Sequence, residues 1–181
     1  VARDAPHQGL VLDCDALEDV FLDEVLSSDP ARPLVVLDQV TDPHNVGAIM
    51  RSAAAFNAAA IVTQDRHAPP ESGTLAKSAS GALEVVPWIR VVNLARALEE
   101  MAEAGYWRIG LDGEGKATLA EALPVGPIAL VLGAEGEGMR HNIMQHCDAI
   151  ARLPMSGAVE SLNVSNAAAI ALYALATRPQ D

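Results

Sequence analysis

Ile128-Ala129-Leu130-Val131-Leu132-Gly133-Ala134-Glu135-Gly136-Glu137-Gly138 is an apolar run that opens directly into a glycine-rich loop. A short run with no polar interruption reads as a strand buried on both faces, as parallel strands are when helices cover them. A glycine-rich turn at its carboxyl end is a place where a ligand is held. The two carboxylates inside the turn restrict what that ligand can be. A loop that cradles phosphate offers backbone N–H groups and a helix N-terminus, and anions beside it would repel the ligand. Glu135 and Glu137 therefore argue against a pyrophosphate and for a neutral or cationic ligand, such as the sulfonium of S-adenosylmethionine. The glycine spacing is G-x-x-G-x-G and not the dinucleotide fingerprint G-x-G-x-x-G, which argues against a dinucleotide-dependent oxidoreductase.

Along the rest of the chain, segments of strand and helix character alternate, which predicts an α/β domain with a mainly parallel sheet flanked by helices. Strands are expected at 34–38, 60–63, 83–86, 106–111, 128–132 and 149–153. Helices are expected within 15–22, from Asn45 to Phe56 with Asn45 as the cap, and over 74–80. Further helical segments are expected over 94–104 behind Asn93, as a turn at 119–123, at 139–146, and from Asn163 to Ala176. On the helix that begins near Asn45, Val46, Ile49, Met50, Ala53 and Ala54 share one face, and Arg51 lies one turn above Gly47. The missing side chain at Gly47 is expected to leave a recess for a phosphate or ribose in front of that guanidinium.

The chain has 181 residues, half of them hydrophobic and only 3% aromatic, which predicts one domain with an aliphatic core. No stretch approaches the roughly 20 apolar residues of a membrane span. Two cysteines, Cys14 and Cys147, make a poor disulfide framework and are expected as reduced thiols in a cytoplasmic protein, with Cys147 a buried small residue. The five histidines lack metal-ligand spacing, so no metal is expected. Twelve basic against twenty-four acidic residues give a net charge of −12, which argues against nucleic acid as a partner on composition alone. A few clustered cations can still hold phosphates while the acids occupy another face. Arg66, Lys77 and Arg140 are candidates for such contacts, with a solvated surface role equally open. Residues 1–12 read as a linker from a missing N-terminal part that carries some of the substrate binding, with one domain over 13–181.

Three separated stretches carry the functional reading: Asn45-Val46-Gly47-Ala48-Ile49-Met50-Arg51, the loop 133–138, and Ser161-Leu162-Asn163-Val164-Ser165 at the mouth of the last helix. Each alone has a plain structural explanation, as a capped helix, a flexible turn and an N-cap. Together they point to one site, because strand ends and helix starts gather on the carboxyl edge of a parallel sheet.

In order and spacing these stretches resemble the three signature motifs of the SpoU branch of the SPOUT RNA ribose 2′-O-methyltransferases. N-x-G-x-x-x-R is matched by Asn45, Gly47 and Arg51. G-x-E-G-x-G is matched by Gly133, Glu135, Gly136 and Gly138, and S-L-N by Ser161, Leu162 and Asn163. The likeness covers nearly the whole chain after Gly9 and is nearest to the bacterial group that methylates a guanosine ribose in large-subunit ribosomal RNA. The resemblance implies a C-terminal trefoil knot, a homodimer, and S-adenosylmethionine held by Gly133, Leu153 and Leu162 with Leu132, Gly138 and Met155 beside them. It implies Arg51 at the reacting hydroxyl, with Asn45 and Glu135 orienting it and Ser161 and Asn163 shaping the ribose and cofactor site. Arginine donates hydrogen bonds and does not accept them, so holding a phosphate and stabilising the developing alkoxide is the role expected of Arg51. The substrate is expected to be ribosomal RNA, with transfer RNA as the alternative. A non-catalytic binding module is the rival reading, and the joint presence of Asn45, Arg51, Glu135 and Asn163 speaks against it.

Overall fold

The computed structural model of the chain describes residues 17–157 and 161–178. The expected linker and Cys14 lie outside the described residues. Seven strands form one sheet: β1 (Leu34–Asp38), β2 (Ala60–Gln64), β3 (Trp88–Val91), β4 (Trp107–Leu111), β5 (Ala117–Thr118), β6 (Ile128–Gly133) and β7 (Ala149–Arg152). Their order is β3-β2-β1-β6-β4-β7-β5, and every pairing is parallel. The helices are α1 (Leu22–Leu26), α2 (Pro43–Ala55), α3 (Gly73–Ala79), α4 (Leu94–Glu103), α5 (Leu119–Ala122), α6 (His141–Met144) and α7 (Val164–Thr177).

Alternation along the central strands divides the core in two, because successive side chains leave a strand on opposite faces. Val35, Leu37, Leu130 and Leu132 point into one layer with Ile49 and Met50 of α2, Leu75 of α3 and Leu172 of α7. Leu34, Val36, Ala129 and Val131 point into the other, with Leu22 of α1, Leu98 and Met101 of α4 and Ile143 of α6. Both faces are apolar for this reason, and the 128–132 run carries no polar residue. The alanine-rich α7 buries Ala168 and Ala171 completely and so lies close against the sheet.

The structure departs from the expected elements in several places. The first described helix is Leu22–Leu26 and not 15–22. It forms where Leu22 and Val25 can both be buried, whereas an isolated short acidic segment cannot meet the cost of nucleation. Helix α2 begins at Pro43, not Asn45. The Asp42 carboxylate caps it by accepting from the His44 N–H at 3.0 Å, with proline in the first turn. Residues 82–84 form a 3-10 turn where a strand was expected, and the strand follows Pro87. Pro87 lacks a donor, but its carbonyl accepts from the Ile61 N–H at 2.9 Å, which suits the entry of an edge strand. The two-residue β5 is too short for its sequence to announce; it exists because Ala117 and Thr118 pair with Ala151 and Arg152.

The β4–β7 side is fastened by an ion pair. The Arg108 guanidinium donates to both oxygens of Asp148, at 2.8 and 2.7 Å, and the Arg108 backbone N–H donates to Oδ2 at 2.9 Å. These bonds raise the Arg108 pKa and hold the Asp148 carboxyl below its usual range. Next to it, burial pushes the half-buried Cys147 thiol up to about 12, so it is inert at neutral pH. Because the folded Asp148 pKa lies below the unfolded one, its contribution is complete above pH ~4 and is lost as pH falls through the folded value. Asp148→Asn is therefore expected to lose about 1–3 kcal/mol at pH 7 and to show a shallower loss of melting temperature on acidification. Thermal melts from pH 7 to pH 3 measure both.

Candidate functional site at the carboxyl edge

The carboxyl ends of β4 and β6, together with the chain leaving β7, enclose a cavity of about 810 Å³. Leu111 and Asp112 close one side, Leu132 and the 133–138 loop another. Leu153 and Met155 follow β7, and Ser161, Leu162 and Val164 lead into α7. All six residues assigned by resemblance to the cofactor, Leu132, Gly133, Gly138, Leu153, Met155 and Leu162, line this cavity, as do Glu135 and Ser161.

The loop's shape follows from its glycines. Ala134 and Gly138 exchange backbone hydrogen bonds at 3.1 and 2.9 Å, folding the loop into a tight hairpin. Gly136 and Gly138 adopt left-handed conformations, with φ of 80° and 67°. A Cβ on Gly133 would overlap the backbone of Gly138 and Met139, so no larger residue fits where the strand ends.

The hairpin presents Glu135 to the start of α7, and the three motifs meet there. Glu135 Oε1 accepts from the Val164 N–H at 3.2 Å, from Asn45 Nδ2 at 3.4 Å, and from Asn163 Nδ2. Asn163 Nδ2 also donates to Asn45 Oδ1 at 3.0 Å, and Asn163 Oδ1 caps α7 by accepting from the Ser165 N–H at 2.9 Å. A carboxylate at a helix N-terminus is favoured by the dipole and by charge-assisted bonds to its free N–H groups. Since Asp42 does the capping of α2, the Asn45 side chain is free to reach across to Glu135 and Asn163.

Arg51 is placed differently. It is exposed on α2, does not line the cavity, and has no hydrogen-bond or ion-pair partner among the described residues. Asn45 and Glu135 bind each other and not Arg51. The recess expected at Gly47 is absent: a Cβ there would collide with the Ser78 Cβ and with the backbone at Ala79. Gly47 lies where α2 and α3 approach closely, and its small size serves that packing. Arg140 is not a free surface cation either, being bound to Asp38 at 2.6 Å. Arg66 and Lys77 are exposed and unpartnered among the described residues.

Asp112 and Glu114 were missed in the sequence. They lie just past β4, where Asp112 Oδ1 accepts from the Glu114 N–H at 2.9 Å to form a turn. A carboxylate followed by Gly113 at a strand's carboxyl end was the available signal. With Glu135 and Glu137 they give the cavity four acidic residues among those described, and no arginine, lysine or histidine of the described residues lines it. Such a wall suits a cation and repels a phosphate.

The profile of the SpoU rRNA methylase family matches residues 32–173. The chain is 43% identical over 175 residues to the 23S rRNA (guanosine-2′-O-)-methyltransferase RlmB of Vibrio parahaemolyticus, covering 95% of this chain and 71% of that one. It is 48% identical over 169 residues to the enzyme of the same name from Ralstonia nicotianae, covering 92% and 68%. The crystal structure of the SpoU methyltransferase AviRb from Streptomyces viridochromogenes, in complex with AdoMet, superposes with a TM-score of 0.80 at 27% identity. That match covers 88% of this chain and 65% of AviRb. An α/β sheet with this acid-lined cavity at its carboxyl edge, matched over most of its length, defines the class: the chain belongs to the SpoU rRNA methylase family.

The hairpin makes a direct prediction. Gly133→Ala is expected to cost about 1–3 kcal/mol in denaturant unfolding and to expose the Ala134 and Gly138 amides to hydrogen exchange. Unchanged protection of these two amides would contradict the steric account.

Proposed function

We propose that this chain transfers a methyl group from S-adenosylmethionine to the 2′-hydroxyl of a guanosine ribose in 23S ribosomal RNA. The observation that carries the reading is the meeting of Asn45, Glu135 and Asn163 at the wall of an acid-lined cavity. The relatives named above methylate that class of RNA, and AviRb binds the same cofactor. The residues present fit it. Leu111, Leu132, Leu153 and Leu162 offer apolar surface for an adenosyl group, and the surrounding carboxylates favour a positive centre. When bound, the sulfonium supplies an activated methyl with a good leaving group, so the chain must provide alignment and an outlet for one proton.

Alignment of this kind is worth ~7–11 kcal/mol, against two to four powers of ten in rate from a general base. The Glu135–Asn163–Asn45 network holds the cavity wall and the start of α7 in one position. Ser161 places a hydroxyl at the cavity mouth. Arg51 holds the RNA phosphate and stabilises the alkoxide as the hydroxyl proton passes to that phosphate or to water. Arg66 and Lys77 add phosphate contacts in a chain whose net charge is −12.

The working assembly is a cytoplasmic homodimer built on α2 and α7. Ile170 and Tyr173 on α7 are 47% and 58% exposed, and Tyr173 packs edge-on against Phe56, with ring centroids 6.0 Å apart. Exposed apolar side chains on adjoining helices are what a second copy would cover. In that arrangement Arg51, which does not line its own cavity, serves the partner's. The reading includes the trefoil knot, and the gathering of residues from 111–114, 132–138, 153–155 and 161–167 around one cavity supports it.

Arg51→Ala is expected to lower kcat for labelled methyl transfer to 23S rRNA at least 100-fold, while the affinity for S-adenosylhomocysteine, measured by calorimetry, stays within threefold. Near-normal turnover would refute the role given to Arg51. Tyr173→Glu is expected to yield a monomer in sedimentation that binds S-adenosylhomocysteine but does not methylate. An active monomer would refute the shared site.

A further inference from the structure

Asp38 is fully buried, and nothing in the methyl-transfer reading uses it. It ends a strand whose other residues, 34–37, are all apolar and buried, so an aliphatic side chain would suit the position by burial alone. Instead both oxygens of its carboxylate are bound by one partner. Oδ1 accepts from Arg140 Nε at 2.8 Å and from Nη2 at 2.6 Å, and Oδ2 accepts from the Arg140 backbone N–H at 2.8 Å. Arg140 Nη2 also donates to Gln64 Oε1 at 2.8 Å, and Gln64 Nε2 donates to the Val92 carbonyl at 3.0 Å. The linkage therefore runs from the end of β3, through the ends of β2 and β1, to the residue two places beyond Gly138.

The sheet supplies the other half of the geometry. Asp38 stands in register with Gly133, where the hairpin leaves β6. The loop thus begins beside the Asp38 backbone and returns to its carboxylate. We infer that Asp38 and Arg140 are positioning residues for the cofactor: the pair ties the returning end of the 133–140 segment to the strand end beside which the segment begins, and thereby fixes the cavity wall that carries Glu135. This inference rests on the reading of the cavity as the S-adenosylmethionine site.

A buried ion pair contributes little net stability compared with apolar packing, yet either charge alone is strongly unfavourable. Such a pair tolerates few alternative geometries, and a guanidinium gripping one carboxylate is directional as well. The Arg140 side chain is 35% exposed. Without the Asp38 charge it can turn into solvent and release the loop while the hydrophobic layers stay intact.

The test is calorimetric titration of the chain with S-adenosylhomocysteine, alongside thermal melts, for Asp38→Asn, Arg140→Gln, Arg140→Lys and Gln64→Ala. Asp148→Asn serves as a control that breaks an ion pair elsewhere. Affinity is expected to fall at least tenfold in D38N and R140Q, with R140K recovering part of the loss. D148N is expected to stay within twofold even where its melting temperature drops as far. Affinities within twofold of the parent in D38N and R140Q, or losses no larger than in D148N at equal loss of melting temperature, overturn the inference. Should D38N fail to fold, unchanged affinity in both R140Q and Q64A overturns it. A parent chain that does not bind S-adenosylhomocysteine overturns the cofactor reading itself, and this inference with it.

Discussion

One carboxylate oxygen, Oε1 of Glu135, holds the site together. It accepts from the side chains of Asn45 and Asn163 and from the Val164 backbone N–H. The three donors come from the start of α2, the residue before α7, and the first turn of α7 itself. Hydrogen bonds to a charged acceptor are worth about 1.5–3 kcal/mol each where water is excluded, and less at an edge as open as this one. Their greater value is geometric. They fix where α7 enters relative to the glycine hairpin, and the cavity is the space between those two.

The sheet makes that meeting possible. With every strand parallel, each carboxyl end lies on one edge, and β6 sits between β1 and β4 at the centre. The hairpin leaving β6 is therefore flanked by the starts of α2 and α7 on one side and by the turn after β4 on the other. Residues far apart in sequence become neighbours because the hydrophobic layers leave the strands no other arrangement. The acidic lining then follows from two carboxylates just past β4 and two in the loop after β6, with the cations of the described residues positioned elsewhere in the fold.

Much of this was legible in the residues. The 128–132 run, the Asn93 cap, the apolar face of α2 and the Asn163 cap each carry a local signal that survives in three dimensions. What misled was information not contained in local spacing. Asn45 read as a cap because it precedes an apolar period, yet Asp42 three residues earlier caps the helix and frees Asn45 for partners 90 and 118 residues away. Gly47 read as an opening, and the close approach of α3 fills it. Arg140 gave no local sign of its partner, because Asp38 lies 102 residues upstream. Periodicity and capping report on a chain's immediate neighbours. Which distant carboxylate meets which arginine is decided by strand order.

The most direct test of the account is a double-mutant cycle on Asn45 and Asn163, read in kcat/KM for methyl transfer to RNA. If both amides act through the Glu135 carboxylate as one unit, N45A and N163A together lose little more than the worse of the two alone, giving a coupling energy above about 1 kcal/mol. Losses that multiply, with no coupling between the two positions, would contradict the claim that a single oxygen unites the motifs.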